Sequence, residues 1–126
     1  MATWTSEELD KIGTAEELQI ASLRRDETLC NRVIIWVVRV GGDLYVRSVN
    51  GRTSGWFRGV QVRHTGRVWA GGIEKDVRFV AIGAEDDLND QIDAAYRTKY
   101  RRYAASIIDS ITGSKARSAT IKLVPR

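Results

Sequence analysis

The segment Val33-Ile34-Ile35-Trp36-Val37-Val38-Arg39-Val40 is almost wholly β-branched or aromatic and is apolar on both faces that a strand would present. Branching at Cβ restricts χ1 and favours extended backbone, so this run is a strand. A strand apolar on both sides belongs in the middle of a sheet or barrel rather than on a wet surface. Gly41-Gly42-Asp43 follows with residues that tolerate positive φ, and Leu44 to Val49 is therefore expected to return antiparallel beside it. An antiparallel hairpin in the centre of the fold limits what the flanking segments can build.

Upstream, Thr5-Ser6-Glu7-Glu8 carries a hydroxyl and, three residues later, a carboxylate, the pattern of a capping box that opens a short helix ended near Gly13. Leu18 to Leu23 begins with the alternation of a half-buried strand, and Arg24 to Asn31 is a polar hinge. Downstream, Trp56 to Val62 reads as a short helix. A second hairpin joins Arg67–Ala70 to Lys75–Ile82 through Gly71-Gly72. Glu85 to Ser110 has apolar or aromatic residues every three or four positions and is expected to form one long helix, acidic at its start and basic later, as the helix dipole favours. Gly113 breaks it, and Thr120 to Val124 closes the chain as a strand. Hairpins with helices inserted between them indicate an α+β domain, with residues 1–126 as one unit.

Composition narrows the function. One cysteine, Cys30, forms no internal disulfide, and one histidine, His64, builds no multi-histidine metal site. The first residues lack the basic and apolar regions of a signal peptide, and no apolar run is long enough to span a bilayer, so a soluble cytoplasmic protein without a membrane partner is expected. The net charge is +4, with 20 basic and 16 acidic residues scattered along the chain. No dense basic block singles out nucleic acid, and a small phosphate-bearing ligand suits the charge equally well.

The stretch Asp43 to Arg58 carries the most chemistry. A strand ends there in glycines, hydroxyls, an amide and arginines, and then meets Trp56-Phe57. Backbone N–H groups at Gly51 and Gly55, the side chains of Ser48, Asn50, Thr53 and Ser54, and the planar donor forks of Arg47, Arg52 and Arg58 suit an anion. Trp56 would then cover a flat ring. The same residues also make an ordinary turn on a wet surface, with the aromatic pair in the core. No Gly-x-Ser-x-Gly elbow exists, His64 falls in a loop, and Cys30 has little around it to activate a thiol. The acidic run Glu85-Asp86-Asp87 lacks the spacing of a calcium loop. An enzyme built this way has no evident nucleophile–base pair and would borrow its chemistry from a cofactor.

Through Trp4-Thr5-Ser6-Glu7-Glu8-Leu9-Asp10, Ile35 to Val40, Tyr45 to Arg52 and Leu123-Val124-Pro125, the whole chain resembles a bacterial family known as domain of unknown function 2255. More distantly it is similar to split β-barrel proteins that bind FMN or a deazaflavin, the pyridoxamine-phosphate-oxidase-like and deazaflavin-dependent reductase families. That resemblance implies a split β-barrel of about six antiparallel strands with flanking helices. It also implies a homodimer with the ligand cleft between subunits, and a flavin- or deazaflavin-dependent oxidoreductase. The alternative is a non-enzymatic dimeric module that binds a small anionic ligand or a protein partner. Arg32-Val33-Ile34 and Tyr45-Val46-Arg47-Ser48 stand where those families hold the cofactor phosphate. The implied binding set is Arg32, Arg47, Ser48, Asn50, Gly51, Arg52, Ser54, Trp56 and Arg58, with no metal and no assigned catalytic residue. Two departures accompany the likeness: Leu23-Arg24-Arg25-Asp26-Glu27 replaces a basic glycine-rich loop, and Gly59 replaces an asparagine after the aromatic pair.

Overall fold

The computed structural model describes residues 3–83 and 86–126. Helix α1 (Ser6–Gly13) opens with the expected capping box, Glu8 N–H donating to Thr5 Oγ1 at 3.1 Å and Thr5 N–H to Glu8 Oε1 at 2.9 Å. Strands β1 (Leu18–Ser22), β2 (Val33–Ile35), β3 (Val37–Val40) and β4 (Asp43–Arg47) follow. A 3-10 turn (Gly51–Thr53) leads into α2 (Gly55–Arg63), and β5 (Thr65–Ala70) and β6 (Ile73–Ile82) form the second hairpin. Its turn, Gly71-Gly72, has φ of 56° and 81°, the two successive positive values that a two-residue hairpin loop requires. Helices α3 (Leu88–Lys99), α4 (Ala105–Thr112) and α5 (Ser114–Arg117) precede the last strand, β7 (Thr120–Pro125).

The strands form one antiparallel sheet in the order β2-β1-β5-β6-β7-β4-β3. Its two end strands are successive pieces of the Val33–Val40 run, separated only by Trp36. The first piece pairs with β1 (Ile34 opposite Gln19) and the second with β4 (Val38 opposite Tyr45), so a single residue joins the opposite ends of the sheet and the sheet curls into a nearly closed barrel. The architecture is the expected α+β split barrel with flanking helices. Among the described residues the count is seven strands rather than about six because the surest strand breaks at Trp36. Far from lying in the middle of the sheet, that run forms its closing seam.

Alternation along the strands sorts side chains into two cores. Leu44 and Val46 point into the barrel with Leu18, Ile20, Val37 and Phe79, whereas Tyr45 and Val38 point outward beneath α3 and α4 and pack on Ile92, Tyr96 and Ile111. Trp4 donates its indole N–H to the Leu123 carbonyl at 2.9 Å and so ties the N-terminal end to β7.

The long helix expected from Glu85 to Ser110 is instead α3 and α4 with a turn between them, and its expected start at Glu85 lies outside the described residues. No Gly or Pro interrupts Tyr100 to Ala104, so the stop is tertiary. At the C-terminal end of α3, Tyr100 stacks on Trp36 with centroids 3.9 Å apart and planes 3° from parallel. The Tyr100 hydroxyl accepts from Val37 N–H at 3.3 Å and donates to the Glu16 carbonyl at 2.9 Å, while Lys99 Nζ donates to the Val37 carbonyl at 2.6 Å. The seam of the barrel thus fixes where α3 ends.

Candidate functional site

A cleft of about 540 Å³ opens beside this seam. One wall is β2 with Trp36, a second is the end of β4 and the turn after it, Arg47 to Asn50, and the remaining sides are Trp56 at the start of α2 and Ile107, Ser110 and Ile111 of α4. The Trp36 indole stacks on Tyr100 and also meets the tilted ring of Tyr103, 4.8 Å away. Trp56 is half-buried, meets Phe57 edge-on at 5.9 Å and separates the cleft from a smaller pocket of about 270 Å³ that reaches Ser22, Arg24 and Cys30. Ile34, Val49 and Ile107 form an apolar rim, 60 %, 48 % and 45 % exposed.

Of the residues expected to bind a cofactor, Arg47, Ser48, Asn50 and Trp56 line the cleft. Arg47 needs correction as a ligand donor. Strand alternation places it on the same outward face as Tyr45, under α3, and its side chain has no exposure to solvent. Nε donates to Thr120 Oγ1 at 3.0 Å, Nη1 to Asp93 and to the Ile111 carbonyl at 3.1 Å, and Nη2 to the Asn89 carbonyl at 3.3 Å and Asn89 Oδ1 at 3.0 Å. All five N–H donors of the guanidinium are therefore used inside the protein, and Asp93 neutralises its charge.

The other arginines are not drawn together. Arg32 lies 3.8 Å over the Trp69 ring and donates to Gln19 Oε1 at 3.2 Å, on the outer face of the barrel. Arg52 donates to the Ser118 carbonyl at 3.4 Å, and Arg58 is exposed; neither lines the cleft. Gly51 N–H donates to the Ser48 carbonyl at 3.0 Å, and a Cβ on Gly51 would come within 2.5 Å of Lys115 Cγ, so this glycine serves the packing of α5. Ser48 Oγ donates to Ser54 Oγ at 2.8 Å, and Ser54 caps α2 by accepting from Phe57 N–H. The expected convergence of guanidinium and amide donors on one point is not what the chain builds. Free at the cleft are the exposed Asn50 amide, the backbone N–H groups of Val49, Asn50 and Trp56, and the acceptor side of the Ser110 hydroxyl, whose proton goes to the Ser106 carbonyl.

Sequence reading missed Trp36, Ile34, Val49 and the α4 residues as walls. The available signal was a bulky indole interrupting a β-branched run, together with apolar residues on a helix face that a single unbroken helix would have turned elsewhere. Electrostatically the cleft is quiet: among the described residues its lining holds no carboxylate, imidazole or thiol, and the one cation there is paired. Behind it, burial pushes Lys99 down to about 8 against the opposing pull of Glu16, and burial raises Tyr100 well above the usual phenol range. Among the described residues no cluster of His, Cys, Asp and Glu is arranged to hold a metal ion, and no helix is long and apolar enough to cross a membrane.

The fold recurs in solved structures of low sequence identity. HutZ, a heme storage protein from Vibrio cholerae, is similar with a TM-score of 0.71 at 14 % identity, over 96 % of this chain and 89 % of that one. A candidate pyridoxamine 5'-phosphate oxidase from Listeria innocua has a TM-score of 0.63 at 16 % identity, over 94 % and 90 %. An F420 reductase has a TM-score of 0.54 at 12 % identity, over 94 % and 90 %. No curated protein matches the chain in sequence. A family model does match, across residues 8–123, and the chain belongs to that family, DUF2255, described as an uncharacterized protein conserved in bacteria.

Proposed function

We propose that this chain is a single ligand-binding split-barrel domain whose cleft holds the flat ring of a flavin or deazaflavin, and that it acts as an oxidoreductase through that ring. The observation that carries this reading is the cleft of about 540 Å³ between Trp36 and Trp56 beside the barrel seam. Its size lies in the range of small-molecule sites, and a ring system stacking on indole gains both buried area and aromatic contact. Supporting it, solved proteins of the same fold are named for heme storage and for F420 reduction. The exposed apolar rim of Ile34, Val49 and Ile107 is the kind of patch that a second copy covers, so the working form is a cytoplasmic homodimer with the cleft at its interface.

The quiet lining favours a second reading. With no carboxylate, imidazole or thiol among the described residues that line the cleft, redox chemistry would come from the ring alone, and a non-enzymatic dimeric binding module needs nothing further. Titration of tryptophan fluorescence with riboflavin, FMN, FAD and a deazaflavin tests the common part. Quenching by at least one of them, reduced about tenfold or more in affinity by Trp56→Ala, is expected from loss of an aromatic wall. Failure of all four to bind removes the proposal. Reduction of the bound ring by a nicotinamide donor, followed by absorbance, separates the enzyme from the module.

A further inference from the structure

A strand at the end of an antiparallel sheet spends the N–H and C=O of every second residue on its neighbour and points the others outward. Contacts of β1 fix which residues of β2 do which. Leu23 N–H donates to the Thr65 carbonyl at 2.9 Å, towards β5, and Cys30 N–H donates to the Ser22 carbonyl at 2.9 Å, on the opposite edge. Leu18 and Ile20 share the parity of Ser22 and so face β2, where the register sets them against Ile35 and Val33. Val33 and Ile35 are therefore bonded to β1, and the N–H and C=O of Ile34 point away from it. The consecutive residues Val33 to Trp36 all line the cleft although their side chains alternate, so the edge of the strand, not one of its faces, borders the cleft. On the other half of the seam the open edge is closed, because Tyr100 and Lys99 take the N–H and C=O of Val37. Among the described residues nothing closes the edge at Ile34.

We infer that this open edge reads the ligand: the main-chain N–H and C=O of Ile34 take a planar ring that carries a C=O beside an N–H, the cyclic imide or lactam class. This rests on the flavin-ring reading above and deepens it, since flavin and deazaflavin rings both end in such an imide. Ile34 N–H donates to a ring carbonyl, and the Ile34 carbonyl accepts from the ring N–H. The N–H groups of Val49, Asn50 and Trp56 remain for the other oxygens of the ligand. An extended peptide is a poorer occupant. Strand addition needs outward groups repeated along an edge, and of the three residues of β2 only Ile34 directs its groups outward.

The test uses the full chain and whichever flavin or deazaflavin binds it, titrated beside the same molecule methylated at the imide nitrogen. The methyl removes the donor for the Ile34 carbonyl, and affinity should fall about tenfold or more. Ile34→Pro removes an N–H that gives β1 nothing, at an edge position where proline is tolerated, and should weaken the parent ligand about tenfold. Ile34→Ala keeps the N–H and should stay within about threefold of the natural chain. Amide exchange followed by NMR should show Ile34 exchanging faster than Val33 and Ile35 in the free chain and slowed when the ligand is bound. A methylated ligand that binds as tightly as its parent overturns the inference and leaves the flavin reading intact. So does an Ile34 amide already as protected as its neighbours in the free chain, the sign of a second copy occupying the edge. Should Ile34→Pro not fold, those two measurements decide. If no flavin or deazaflavin binds, both fall.

Discussion

Replacing Arg47 with Met tests whether this arginine belongs to the protein interior or to a ligand. The substitution removes five hydrogen bonds and the partner of Asp93, whose side chain is only 12 % exposed. The carbonyls of Asn89 and Ile111 also lose this donor, while Asn89 Oδ1 keeps Thr120 Oγ1 at 3.4 Å. Removing one partner of a buried ion pair costs about 3–5 kcal/mol, because the remaining charge stays behind without compensation. Arg117 Nε, 3.6 Å from Asp93 Oδ2, offsets part of this, so the lower end of that range is expected. For a chain between the small and medium size classes, about 3–5 °C is lost per kcal/mol, which corresponds to a fall in Tm of roughly 10–15 °C. Thermal melts followed by circular dichroism, with urea titrations for the free energy, measure it. The double variant Arg47→Met, Asp93→Leu should recover about 2 kcal/mol, since no charge is then stranded. Arg47→Lys should fall between Arg47→Met and the natural chain, keeping the charge without the planar fork. If Arg47→Met melts within about 1 kcal/mol of the natural chain and instead loses ligand affinity, the assignment of Arg47 to the interior is refuted.

Other outcomes follow from single contacts. Gly66→Ala should destabilise by about 1–3 kcal/mol in urea titration, because its Cβ would lie 2.1 Å from the Ala21 carbonyl oxygen and 2.9 Å from the Phe79 ring. Tyr100→Phe should cost about 1–3 kcal/mol by leaving Val37 N–H and the Glu16 carbonyl short of a partner at the seam, with a faster loss of amide-exchange protection at Val37 than in β5 or β6. Lys99 has a folded pKa near 8 against 10.5 for an ordinary lysine, so between these values the unfolded chain binds more protons and stability should rise with pH. The rise is measurable from pH 8 to about 10, above which the raised phenol of Tyr100 acts in the opposite direction. Partial exposure limits the gain to about 1 kcal/mol, and Lys99→Met should flatten the profile.

Some of this protein is written locally. The capping box at Thr5 and Glu8, the Gly71-Gly72 hairpin and the alternation of Leu44, Tyr45 and Val46 each depend on residues within a few positions of one another, and each forms as the pattern indicates. That alternation even carries the sign of Arg47, since a residue two places from an outward Tyr45 must also point outward. It does not say what lies there. Only the arrival of α3 turns an outward position into a buried one and gives the guanidinium Asp93 and Asn89 as partners, more than forty positions along the chain. The loop of glycines and arginines was legible as a special segment, but the direction of each long side chain is set by neighbours distant in sequence: Trp69 for Arg32, Ser118 for Arg52.

Periodicity and turn chemistry, then, determined the elements and the antiparallel hairpins, because both are properties of short stretches of backbone. The tertiary structure decided three things that no short stretch contains. The sheet closes at Trp36 because β1 and β4 each need an edge partner and one run of residues supplies both. The helical stretch stops at Tyr100 because its ring and hydroxyl are held by that seam rather than by any breaker in the sequence. The cleft is apolar and neutral because the pairing of Arg47 with Asp93 draws its one charge into the interior.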